Sequence, residues 1–117
     1  MSTHEDRFAL TRQAYENAFN NWDADLDACA GNGASMRKVN ANLRTLHTEM
    51  LRAANAWLGA TGAAVEDAFD AAKAAKKAVD DARENDVEIV ARLTAFADLS
   101  DSIKTLVDKA KKATADA

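Results

Sequence analysis

Residues 78–93 read "AVDDARENDVEIVARL", and whether they form one helix or a turn between two decides the fold. On both sides, apolar or small residues recur in steps of three and four. Val65, Ala68, Ala72, Ala75, Val79 and Ala82 precede Asp86, and Ile89, Leu93, Phe96, Ser100, Ile103, Val107 and Ala110 follow it. The phase never slips, which favours one rod of about 50 residues, roughly 75 Å long. Against continuity stands the polar pair Asn85-Asp86. With Glu88 three positions on, Asn85 resembles the start of a capping box for a separate last helix. A break gives helices over 63–84 and 87–114; continuity gives one long helix with the earlier ones packed along it. Sequence alone leaves both open.

Working outward, Met36, Val39, Leu43, Leu46, Met50, Ala53 and Trp57 keep a heptad seam, which predicts a helix over 35–58. Before it, Phe8, Thr11, Tyr15, Ala18, Phe19, Trp22, Leu26 and Cys29 fall within one arc at about 100° per residue, which predicts a helix over 3–30. Ser2 or Thr3, followed by Glu5 and Asp6, supplies its start. Gly31-Asn32-Gly33 and the pair Gly59 and Gly62 punctuate the chain, which contains no proline to break a helix interior. Between Ala63 and Ala82 the seam is mostly alanine, a narrow face suited to receive the bulkier aromatics of the first two helices. The fold class is therefore all-α: an antiparallel helical bundle or helical hairpin of three to four helices, in one domain over 1–117.

Composition removes several functions. The 117 residues carry a net charge of −4, the wrong sign for a phosphate-neutralising nucleic-acid surface. One cysteine, Cys29, permits no intramolecular disulfide or cysteine-based zinc site and fits a reducing, cytoplasmic setting, with secretion lacking a signal peptide left open. No apolar run approaches the length of a transmembrane span, and "MSTHEDRFAL" has no signal-peptide core.

One stretch looks like a site. "DADLDACAGNG" (23–33) places Asp23, Asp25 and Asp27 at the first, third and fifth positions of a calcium loop. Position six, which needs glycine, holds Ala28, and position twelve, which needs a bidentate glutamate, holds Ala34. The stretch reads instead as an acidic helix end, with Asp23 and Asp27 toward solvent and Asp25 at the edge of the apolar stripe. No base lies between Arg12 and Arg37, whereas Arg37, Lys38, Arg44 and Arg52 follow with a single Glu49. If the first two helices are antiparallel neighbours, the acidic end pairs internally with the basic start at Arg37 and Lys38. A docking patch for a basic partner is the other reading. His4 and His47 lack the Glu-x-x-His pairing of a bundle metal centre, and Cys29 lacks a base to activate it. No catalytic residue, metal ligand or cofactor is assigned.

"AWLGATG" (56–62) sets Trp57-Leu58-Gly59 at the mid-chain turn. This layout resembles the WXG100 family, small secreted helical hairpins with Trp-x-Gly at the turn that commonly pair as dimers. The resemblance implies a secreted hairpin protein and makes Trp57 an interaction residue. That family commonly carries a C-terminal Tyr-x-x-x-Asp/Glu signal, whereas the one tyrosine here is Tyr15, and Gly31-Asn32-Gly33 divides the first arm.

The functional expectation is a non-enzymatic helical interaction or scaffold module, a homo-oligomer or the partner of another helical protein. Its motive is the long apolar seam, more than a single hairpin covers. An amphipathic coat on lipid or a storage granule is a competing class, disfavoured by narrow, alanine-lined seams. A ligand carrier lined by Tyr15, Trp22, His47, Met50 and Trp57 is a third, disfavoured because such stripes more often form core.

Overall fold

The computed structural model describes residues 2–56, 58–59 and 62–116. Among these there are five helices and no strand: α1 (His4–Asn20), α2 (Trp22–Ala28), α3 (Gly33–Ala54), α4 (Ala63–Glu84) and α5 (Ile89–Asp116). The long seam breaks after all. Asn85 closes α4, its side-chain amide donating to the Asp81 carbonyl at 2.9 Å, and Asp86 takes a left-handed φ of 50°. Asn85 thus caps the end of α4 rather than opening α5. Heptad phase survives the turn because α4 and α5 bury the same seam against each other. Val65, Ala72, Val79, Leu93, Phe96, Ile103, Val107 and Ala110 are all buried.

The expected first helix is two helices. α1 starts with a capping box between Thr3 and Asp6, in which each backbone N–H donates to the other's side chain. It stops at Asn21, whose backbone N–H and side-chain amide both donate to the Asn17 carbonyl, at 3.1 and 2.8 Å. Asparagine competes in this way for helical carbonyls, and α2 resumes at Trp22. Ala30 and Gly31 then turn the chain through left-handed φ of 51° and 82°. The Asn32 side chain accepts from Ser35 N at 2.9 Å, capping α3.

α1 and α2 pack on α3, α3 packs on α5, α5 on α4, and α4 closes the ring on α1. The α3–α4 connection therefore crosses one end of the bundle diagonally. Leu58, within that crossing, is wholly buried. Its N–H donates to His4 Nδ1 at 2.9 Å, and its carbonyl accepts from Arg7 Nη1. Arg7 is itself fully buried, donating Nε to Ser2 Oγ at 2.8 Å and Nη2 to Glu66 at 2.6 Å. A buried guanidinium is tolerable only when its donors are met in this fashion.

Arg7 also fixes the roll of α1. With Arg7 turned inward, the buried line runs Arg7, Leu10, Thr11, Ala14 and Ala18. The predicted stripe is rotated outward accordingly: Phe8 and Tyr15 are half-buried, while Phe19 is 55% and Trp22 37% exposed. The α4 alanines therefore do not receive those two aromatics. The buried phenylalanines of the core are Phe69 and Phe96, from α4 and α5 themselves.

Candidate functional site

Three aspartates two residues apart meet three different fates. Asp25 is buried on α2, with 4% of its side chain exposed. Arg83, in the last turn of α4, holds it in a two-point grip at 2.7 and 2.8 Å, and Arg92 of α5 stands 3.9 Å away. Such forked contacts match the planar guanidinium to the carboxylate. Asp23 and Asp27 are exposed, and so are Arg37 and Lys38 on α3. None of these four forms an ion pair among the described residues. The expected pairing of the acidic helix end with Arg37 and Lys38 is thus corrected: of the three aspartates the one that pairs is Asp25, with Arg83 and Arg92 on either side of the α4–α5 turn. Helical phase is the reason, because the residue aligned with the core at Cys29 is Asp25, while its neighbours face water. Trp57, the remaining sequence candidate, lies outside the described residues.

Cys29 sits beneath this ion pair, its Sγ 3.2 Å from the Asp25 carbonyl. Burial raises its thiol pKa above the usual 9.0, the Asp25 charge adds to the rise, and Arg92 partly offsets it. An activated cysteine needs the opposite, an exposed site and a lowered pKa. Among the described residues no group of three His, Cys, Asp or Glu side chains is placed to hold a metal ion. No helix among them is long and apolar enough to cross a membrane.

What the structure does assemble is a groove along the outer side of the α1/α2–α3 hairpin. One wall is Tyr15, Phe19 and Trp22; the other is Asn40, Leu43, Arg44 and His47. The Trp22 indole N–H donates to Asn40 Oδ1 at 2.9 Å, joining the walls. Tyr15 lies between Phe19 and His47, with ring centroids 6.0 and 5.0 Å away, a spacing at which aromatic rings attract. Leu51, one turn beyond His47, extends the apolar strip and is 47% exposed. Of the carrier residues expected from sequence, Tyr15, Trp22 and His47 meet here, while Met50 does not line the groove. The groove holds about 500 Å³ and is open to solvent, unlike the enclosed clefts that bury most of a small ligand's surface. Its one formally charged lining residue, Arg44, has no ion-pair partner among the described residues.

Comparison of the chain with protein-family models, with curated proteins and with solved structures found no match.

Proposed function

We propose that this chain is a non-enzymatic helical interaction module that docks another helical protein along the α1/α3 groove. One observation carries the reading. Among the described residues five large hydrophobic side chains are exposed; Phe19 and Trp22 line this groove, and Leu51 follows His47 by one helical turn on the same side of α3. Water-facing aromatics at helical spacing cost solubility, and they are enriched where a partner's ridge covers them. A groove between two helices suits an amphipathic helix presenting apolar anchors at steps of three and four. The long seam that motivated an oligomer in the sequence is covered within one chain, so the case for association now rests on the groove instead.

The test is a photo-crosslinking residue at position 19, compared with one at exposed Ala74 on the polar α4 surface, in the cells that make the protein. The reading expects protein adducts from position 19 well above those from position 74. Equal yields from the two positions would remove its support.

A further inference from the structure

We infer that the occupant of the groove is a second copy of this chain, related by a two-fold axis running along the groove; this rests on the docking reading above. The argument is one of charge. At about 100° per residue, Asp23 and Asp27 fall on the side of α2 beyond the Trp22 row, away from buried Asp25. By the same count Arg37 and Arg44 fall on the side of α3 beyond the Asn40–His47 row, while Lys38 turns to the other flank. The face is therefore striped: two carboxylates, an aromatic trough, two guanidinium groups. Glu16, on the outer side of α1, is already matched by Arg12 at 3.4 Å. None of Asp23, Asp27, Arg37 and Arg44 has an ion pair among the described residues.

A face carrying equal and opposite stripes is complementary to itself under rotation about an axis parallel to them. Each copy's acidic edge then lies over the other's basic edge, and Phe19 and Trp22 of both copies share the trough. This is an isologous contact, in which every pair occurs twice. Rotation about an axis across the stripes would set acid on acid, so the charges select the parallel arrangement. The broad side of a body measuring 48 × 24 × 19 Å is large enough for the roughly 800 Å² per partner that a stable interface buries. An acidic foreign helix would match Arg37 and Arg44 but would set like charges against Asp23 and Asp27.

Charge reversal tests the arrangement. Wild type, Asp23→Lys/Asp27→Lys, Arg37→Glu/Arg44→Glu and an equimolar mixture of the two variants are compared by sedimentation equilibrium. Far-ultraviolet dichroism confirms that each is folded. The wild type is expected to dimerise at micromolar concentration. Each double variant alone should weaken the dimer by about tenfold or more, since both contacts become repulsive. The mixture should recover wild-type affinity as a heterodimer, since both contacts become attractive again. A variant that fails to fold is replaced by Phe19→Ser, which should also dissociate the dimer. A wild type that stays monomeric, reversals without effect, or a mixture that does not recover would each overturn the second-copy assignment. If position 19 still crosslinks to a different protein, the docking reading stands and only its occupant is wrong. If the dimer persists while position 19 yields no adducts, the groove itself is the wrong surface and both fall.

Discussion

The two helical hairpins of this bundle solve the same packing problem differently. α4 and α5 bury a long seam of alanines and aliphatics, in which Leu99, Ile103, Leu106, Val107 and Ala110 are at most 2% exposed. The α1/α2–α3 hairpin turns its small residues and Arg7 inward and leaves Phe19, Trp22 and Leu51 to solvent. Burial of that order on α5 accounts for stability, at roughly 1.5–3 kcal/mol per large aliphatic side chain. Exposure on the other hairpin does not, and it is on this exposure that the proposed docking rests. Ion pairs tie the hairpins together at both ends of the bundle. Arg7–Glu66 and Arg52–Asp108 lie at the crossing-loop end, and Asp25 with Arg83 and Arg92 at the other.

Removing the tie at the crossing-loop end should do the most damage. Arg7→Ala would leave the Leu58 carbonyl, Ser2 and Glu66 without the donor they share. Breaking a buried ionic network of this kind costs about 3–5 kcal/mol. Urea unfolding followed by dichroism should show that loss, and a change below about 1 kcal/mol would mean Arg7 does not hold the hairpins together. Asp25→Asn should cost somewhat less, on the order of 2–3 kcal/mol, because Arg83 and Arg92 retain some contact with solvent at 15% and 19% exposure. It should also make Cys29 easier to alkylate, since the carboxylate that helps raise its pKa is gone. An unchanged labelling rate would show that burial alone protects the thiol.

This contrast between the hairpins was half legible in the sequence. Most of the α4–α5 seam could be read because alanines and aliphatics have no competing role, and the predicted 63–84 helix matches Ala63–Glu84. Asp86, however, is exposed, and the buried Leu99 and Leu106 lie outside the expected row. The first hairpin misled because its aromatic stripe is the stronger apolar signal, yet a buried arginine sets the roll. Little that is local marks Arg7 as buried: besides Ser2, its partners Leu58 and Glu66 are 51 and 59 positions away. Asp25 hides its partner Arg83 in the same way, 58 positions along. One missed signal was local. Asn20-Asn21 inside "AFNNWD" is a pair of residues that favour caps over helix interiors, and there the first helix ends.

Acid sharpens the role of the crossing-loop tie. Hydrogen bonds from the Ser2 hydroxyl and backbone N–H, followed by that from Arg7, lower the Glu66 pKa from the ordinary 4.5 to about 2. A carboxylate with a depressed folded-state pKa contributes stability that is fully present above its unfolded value. That contribution is lost as pH falls toward the folded one. The wild type should therefore lose part of its stability between pH 4.5 and 2, and Glu66→Gln should flatten the curve in that window while starting from a lower value at neutral pH. Equal slopes for the two proteins would show that Glu66 is not coupled to folding.

The smallest expected effect is the one that separates folding from binding. Phe19→Ser removes a large aromatic from a site already 55% exposed. In dilute solution, where partners are absent, the unfolding free energy should change by no more than about 0.5 kcal/mol, the range of ordinary surface changes. Leu106, wholly buried in α5, is the control, since Leu→Ala in a core costs about 2–5 kcal/mol. If Phe19→Ser approached that figure, its ring would be part of the core, and its exposure would carry no message about a partner. A neutral result with lost association makes the first hairpin the working surface and the second the frame that holds it.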